Sequence, residues 1–226
     1  MSVEIHAVVF DFDGLVLDTE IPVYLSWCAA FEAHGAVPPT IEEWAVTIGT
    51  ADDVDVHGWL DERAGRPVDR HAMDASRRAH RDALLEVEVV RPGVVEWLAE
   101  ADAAGVHLAI ASSSPADWVE EYLGRLELTS RFATVVTAGG SLRGKPAADV
   151  YLEACARLGV EPAHALAVED SPNGIAAAKA AGLWCVNVPN DLTAPLDRSA
   201  ADLHLASLAD STLAQVQARI GARPSS

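Results

Sequence analysis

Positive charge is scarce in this chain. Sixteen lysines and arginines face thirty-four aspartates and glutamates, for a formal charge of −18 over 226 residues. A surface of that sign repels phosphate backbones and anionic lipid headgroups, so neither nucleic acid nor a membrane surface is an expected partner. Any phosphate that the protein handles must then be met by a local positive site such as a metal ion. Cysteine is also sparse. Cys28, Cys155 and Cys185 are odd in number, far apart and form no Cys-x-x-Cys pair, which speaks against a disulfide framework and for three buried reduced thiols. No apolar run reaches the roughly 18 residues that a membrane span needs. The first fourteen residues are apolar only briefly before meeting two aspartates, unlike a secretory signal, so a cytoplasmic protein is expected. There is no internal repeat and no low-complexity tract, and only residues 222–226 read as a frayed tail.

What is present is a half-hydrophobic chain, ample for one large domain or for a domain with a smaller one inserted in it. A strand is expected over residues 3–10, ending abruptly at Asp11. A long helical stretch follows from about 18 to 91, broken near 35–40, 48–53 and 63–69. Asp18 or Thr19 can cap its first helix, Pro22 fits the first turn, and Gly35 can end it. From Pro92 the rhythm changes. Helices over 92–104, 115–126, 147–158 and 172–181 alternate with short apolar runs at 106–111, 133–137, 165–168 and 185–188, and a short run at 203–205 suits an edge strand. Such alternation indicates βαβ units and a parallel sheet covered on both faces. The expected architecture is a doubly wound, Rossmann-like α/β core, residues 1–17 and 91–226, holding a helical insertion over 18–90.

Open parallel sheets bind ligands at the carboxyl ends of their strands. There the sequence places Asp11 and Asp13 after the first strand, Ser112, Ser113 and Ser114 after the second, and Glu169 with Asp170 after the run at 165–168. Lys145, between Gly144 and Pro146, precedes a helix beyond the third strand. Only two of the sixteen basic residues are lysines, so a lysine here suggests that a compact point charge was needed. Carboxylates crowded into a water-poor mouth repel unless a divalent cation neutralises them, and an all-oxygen ligand set favours Mg²⁺. Each group also has a bland reading. Asp11 and Asp13 suit a turn completed by Gly14, the serines suit a helix cap before Pro115, Glu169 to Pro172 suit another cap, and Lys145 suits an exposed helix start. Four such accidents at successive strand ends are not credible together.

The segment Phe10-Asp11-Phe12-Asp13-Gly14-Leu15-Val16-Leu17-Asp18-Thr19-Glu20 resembles the first motif of the haloacid dehalogenase-like (HAD) hydrolase superfamily. Ser112 resembles its second motif, Lys145 in Gly-Lys-Pro its third, and Glu169-Asp170 its fourth. The resemblance spans essentially the whole chain and points to the C1-capped group of β-phosphoglucomutase-like and phosphoglycolate-phosphatase-like enzymes. It implies that Asp11 is a nucleophile that forms an aspartyl-phosphate. Asp13 is implied to be the acid and base. It further implies Mg²⁺ held by Asp11, Asp170 and the backbone carbonyl of Asp13, with Glu169 supporting. Ser112 and Lys145 would hold the phosphoryl oxygens, with Ser113 and Thr19 beside the substrate. The presence of Asp13 argues against dehalogenation.

Departures inform the substrate. β-Phosphoglucomutases carry a histidine where this chain has Val23, and a cap-loop lysine that Thr47-Ile48-Gly49-Thr50 lacks. Phosphonoacetaldehyde hydrolases need a cap lysine, and residues 18–90 contain none. A Mg²⁺-dependent phosphatase of a small phosphomonoester, sugar phosphate or phosphoglycolate-like, is the resulting expectation, as a monomer or weak homodimer. A phosphosugar mutase is the alternative within enzymes, and a non-catalytic phospho-accepting or ligand-binding protein the alternative outside them. In the insertion, Arg77 and Arg81 lie one turn apart and suit a distal anion, but a solvated helix face paired with Asp74 is the favoured reading. Trp27, Trp44 and Trp59 read as local core, and the histidines as surface or satisfied core residues.

Overall fold

The computed structural model describes residues 4–48 and 54–222. Strand β1 (Ala7–Phe10) is four buried apolar residues in a row, the mark of a strand covered on both faces. Four helices follow: α1 (Glu20–Ala33), α2 (Ile41–Trp44), α3 (Val56–Ala64) and α4 (Arg70–Glu86). Then come α5 (Val94–Ala104), β2 (His107–Ser112), α6 (Ala116–Arg125), β3 (Thr134–Thr137), α7 (Asp149–Leu158), β4 (Ala165–Glu169), α8 (Pro172–Ala180), β5 (Trp184–Asn187), β6 (Leu203–His204) and α9 (Leu213–Gly221). The six strands pair in parallel in the order β3-β2-β1-β4-β5-β6, the doubly wound arrangement expected from the sequence. Phe10 stands opposite both Ile110 and Val168. That register brings the residues that follow β1, β2 and β4 to one rim, with β1 at the centre.

Side-chain size distinguishes the faces of the sheet. Val8, Phe10, Leu108, Ile110, Leu166 and Val168 pack one face against α5, α6 and α9. On the other, Ala7, Val9, Ala109, Ala111, Ala165 and Ala167 give α7 and α8 close approach through Val150, Tyr151, Ala154 and Ala178. Burial of these fully covered apolar groups is the main favourable contribution to the fold, at about 25 cal/mol per Å² of apolar surface.

Helices α1, α3 and α4 with the α2 turn enclose a separate cluster of Trp27, Phe31, Trp44, Ile48, Leu60 and Met73, into which the core contributes Leu192. The chain leaves and rejoins the core at one place. Leu17 and Val90 form an antiparallel bridge, and Arg91 N–H donates to Val16 O at 3.0 Å. The Arg91 guanidinium donates to the carbonyl of Gly14 and, at 2.8 Å, to that of Pro189.

Local departures from expectation have local causes. β1 starts at Ala7, four residues later than expected, and residue 3 lies outside the described residues. The helical run to residue 91 stops at Glu86, because Val90 and Arg91 are taken up by the bridge. Thr19 sits at the N-cap of α1 without a capping hydrogen bond, since its hydroxyl is committed to Asp13, while Asp18 Oδ1 accepts from Ile21 N–H at 3.3 Å. The α5 helix begins at Val94 rather than Pro92. Of the break expected over 48–53, residues 49–53 lie outside the described residues, as does the tail from 223 onward.

Candidate active site

Asp11 is the first residue past β1, its N–H donating to Val168 O at 2.9 Å, so its side chain is fixed at the centre of the rim. Lys145 Nζ lies 2.6 Å from Asp11 Oδ1 and 2.6 Å from Glu169 Oε1, all three side chains being almost fully buried. The Lys145 backbone is set by Ser113, whose hydroxyl accepts its N–H at 3.0 Å. Tyr151 lies under the ammonium, 5.2 Å from ring centre to Nζ, and donates its hydroxyl to the same Glu169 oxygen at 2.6 Å. Glu169 Oε2 accepts from Asp170 N–H at 3.2 Å. Glu169 is thus largely engaged in holding the lysine.

Asp170 is buried beside this group and accepts from Asn190 Nδ2 at 2.7 Å. Gly14 makes that approach possible: it has φ 75°, and a Cβ there would lie 2.5 Å from both Asp170 Oδ2 and Asn190 Nδ2. Burial, then repulsion from Asp11 and Glu169, pushes the Asp170 carboxyl well above its ordinary range. Burial and Glu169 push Asp11 up to about 7 against the pull of Lys145. Burial opposes the Lys145 charge, but Asp11 and Glu169 outweigh it and hold the ammonium above an ordinary lysine. Glu20, at the start of α1, is pushed up to about 8 by burial and by Asp13 and Asp11.

One lysine does not balance this much acid. Asp11, Glu169 and Asp170 each present an oxygen within 4.8 Å of the others, all buried. An oxygen-only donor set with surplus negative charge fits a hard divalent cation. The Asp13 carboxylate lies apart from that cluster. It accepts from Thr19 Oγ1 at 2.8 Å, Trp118 Nε1 at 2.8 Å, Ser114 Oγ at 2.6 Å and Ser112 Oγ at 3.3 Å. The nine residues singled out from sequence, Ser114 included, therefore meet at one rim, although Thr19 and Ser113 spend their hydroxyls on Asp13 and Lys145.

A cavity of about 790 Å³ opens over the rim. Asp11, Asp13, Ser112 to Ser114 and Lys145 form its floor, and Val23, Trp27, Trp44, His57, Arg78 and Arg81 face it from the insertion. Here two readings change. The arginine face of α4 is not simply solvated: Arg77 does pair with Asp74, at 3.5 Å, but is nearly buried with its guanidinium 4.5 Å from the Trp27 ring centre. Arg78 and Arg81, not Arg77, reach the cavity. His57 is satisfied by Asp74 at 3.1 Å, yet it too lines the cavity. Trp27 and Trp44 are core residues, as expected, and also part of the cavity wall.

Sequence reasoning missed Trp118, Tyr151, Glu20 and Asn190. Asn190 was within reach of the strand-end rule, since it follows β5. Trp118 stands in the first turn after the serine cluster, where the serines drew all the weight. Nothing in the sequence marks Tyr151, six residues past Lys145 on a helix of ordinary composition.

The model of the haloacid dehalogenase-like hydrolase family matches residues 5–182, a span that includes every rim group named here except Asn190. Among similar proteins, YhcW of Bacillus subtilis is 40% identical over 210 residues, covering 93% of this chain and 95% of its own. Validoxylamine A 7'-phosphate phosphatase of Streptomyces hygroscopicus subsp. limoneus is 32% identical over 181 residues, 79% of this chain and 83% of its own. The structure of CbbY from Rhodobacter sphaeroides in complex with phosphate superposes with a TM-score of 0.72 at 28% identity, covering 93% of this chain and 98% of that one. With the family match spanning the strand that ends at Asp11, the serine strand, the lysine and the acidic pair together, this chain belongs to the haloacid dehalogenase-like hydrolases.

Proposed function

We propose that the chain is a Mg²⁺-dependent phosphatase that hydrolyses a small phosphomonoester, such as a sugar phosphate or a phosphoglycolate-like compound, through an aspartyl-phosphate on Asp11. That it is a phosphoric monoester hydrolase follows from its family and from the phosphatases among its relatives. The observation that supports the finer reading is the paired placement of Asp11 and Asp13 on one cavity floor, Asp11 beside an ammonium and Asp13 among neutral donors.

Asp11 attacks phosphorus while Asp13 gives a proton to the departing oxygen. Asp13 then removes a proton from the water that hydrolyses the acyl phosphate. Ser112 and Lys145 hold phosphoryl oxygens as their charge shifts, with N–H groups around Ser113 and the Thr19 segment completing the pocket. Asp11, Asp170 and the Asp13 carbonyl, with Glu169 behind, would hold Mg²⁺, which when bound neutralises the carboxylates and phosphoryl oxygens. Residues 18–90 serve as a cap that excludes water and selects the ester. Val23 lines the cavity where a mutase carries histidine, which favours water as the acceptor. No helix among the described residues is long and apolar enough to cross a membrane; the three thiols are free, Cys155 and Cys185 buried as expected and Cys28 only half-buried, and free thiols suit a cytoplasmic setting.

The test is phosphate release from sugar phosphates, phosphoglycolate and p-nitrophenyl phosphate, with Mg²⁺ or with EDTA. Release is expected only with Mg²⁺, and Asp11→Asn is expected to lose at least about 10³-fold in kcat. Undiminished release in EDTA or from Asp11→Asn would refute the reading.

A further inference from the structure

Four donors converge on Asp13, and they are not interchangeable. Thr19 Oγ1 and Trp118 Nε1 face one carboxylate oxygen, Oδ1, each at 2.8 Å. Ser114 Oγ at 2.6 Å and Ser112 Oγ at 3.3 Å face the other, Oδ2. A hydroxyl can turn and accept a proton instead of donating one, whereas an indole N–H can only donate. When Asp13 is protonated, the oxygen that bears the proton is a poor acceptor. Trp118 therefore disfavours the proton on Oδ1 and leaves it to Oδ2, between two hydroxyls able to reverse direction.

The indole is held for this task from both regions of the molecule. Trp118 lies in the first turn of α6, and its ring meets Tyr122 one turn on, at 4.6 Å between centroids in an edge-to-face arrangement. The ring also meets the Arg81 guanidinium of α4, 4.9 Å from the ring centre. A cation over an indole is attracted by the ring and fixes its tilt. The helix that overhangs the cavity thus rests on the residue that orients the acid.

We propose that Trp118 is a positioning residue. Its indole N–H selects Oδ2 of Asp13 as the oxygen that delivers the proton to the leaving group. This rests on the reading of Asp13 as the acid. In the step concerned, an Asp11 oxygen bonds to phosphorus and the ester P–O bond breaks with its electron pair passing to the leaving oxygen. The Oδ2 proton moves to that oxygen, and Asp13 is left ionised among its four donors. Hydrolysis of the acyl phosphate returns a proton from water to Oδ2.

The experiment is a leaving-group series: kcat/KM for substituted phenyl phosphates from nitrophenol to unsubstituted phenol, in wild type, Trp118→Phe and Asp13→Asn, with Mg²⁺. Phenylalanine keeps a ring under Arg81 and removes the N–H, and Trp118→Leu serves if the first variant does not fold. An acid that delivers its proton poorly matters most for the worst leaving group. Trp118→Phe is expected to fall about tenfold or more on phenyl phosphate and only about threefold on nitrophenyl phosphate, part of the 10²–10⁴ of acid–base catalysis. A uniform fall across the series, or none, would overturn the proposal, since damage to folding or phosphate binding strikes all esters alike. Asp13→Asn separates the premise from the proposal. If it does not steepen the series, Asp13 is not the acid; if it does and Trp118→Phe does not, Trp118 alone is misassigned. A measurement without turnover stands beside these. The indole N–H resonance missing from Trp118→Phe must move in Asp13→Asn, and an unmoved resonance refutes the hydrogen bond.

Discussion

The rim of the sheet and the helical insertion that faces it line the same cavity with opposite construction. On the rim the charged groups are committed, and all but the half-buried Asp13 are buried: Lys145 is paired with Asp11 and Glu169, Glu169 with Tyr151, and Asp170 with Asn190. On the insertion the basic groups that face the cavity are less enclosed: Arg78 is exposed, and Arg81 is shared between Asp82 and the face of Trp118. A network in which each group satisfies another tolerates little change, because removing one partner strands the rest in a medium that cannot solvate them. Solvated side chains on a helix can be exchanged at small cost. The rim is therefore the fixed part of the cavity, and the arginine face of the insertion the part open to exchange.

The largest test of that contrast is Lys145→Met. It leaves Asp11 and Glu169 buried without their cation and is expected to cost about 3–5 kcal/mol in EDTA, read from urea denaturation. Added Mg²⁺ should recover part of the loss. A cost under about 1 kcal/mol would mean that the rim is not the committed network described here.

A smaller effect is expected from pH. Asp11 and Glu20 have carboxyls raised to about 7 and about 8, so between about pH 4 and 8 the folded chain binds protons that the unfolded chain has released. Stability of the metal-free protein should be fully supported at the acid end of that window and fall as pH rises through it. The melting temperature in EDTA is expected to drop from pH 5 to pH 8, while the increment given by Mg²⁺ grows. A metal-free melting temperature that rises over this range would contradict the burial assigned to these groups.

The smallest expected effect on the fold is Arg78→Ala. No more than about 0.5 kcal/mol of stability should be lost, since the side chain is exposed and makes no ion pair among the described residues. If Arg78 meets the distal part of the ester, KM should rise severalfold for substrates with a second anionic group and stay constant for p-nitrophenyl phosphate. Equal effects on both would place Arg78 outside selection.

The same contrast explains how much was legible in advance. The parallel, doubly wound sheet and the strand-end groups followed from short apolar runs that each stop at a polar residue, as Phe10 does at Asp11 and Val168 at Glu169. That signal is local, and the register of β1 with β2 and β4 converts it directly into proximity. The second set of partners was hidden for the opposite reason. Tyr151 and Trp118 act through side chains that cross from helices to strands, and Arg78 and Arg81 differ from Arg77 only in the direction they point from α4. Direction around a helix depends on what packs beneath it, here Trp27 under Arg77, and no spacing rule supplies that.

The bridge between Leu17 and Val90 has a consequence of its own. Because the two ends of the insertion meet at one residue pair, the sheet is blind to how much chain lies between them. Helices can be lengthened, shortened or replaced wholesale in that loop without disturbing the order of a single strand. The junction works as a socket, and Arg91, pinned to the carbonyls of Gly14 and Pro189, is its collar. Exchanging what is plugged into the socket would change the wall that faces the cavity, while the register that sets Asp11 beside Glu169 stays as the strands fix it.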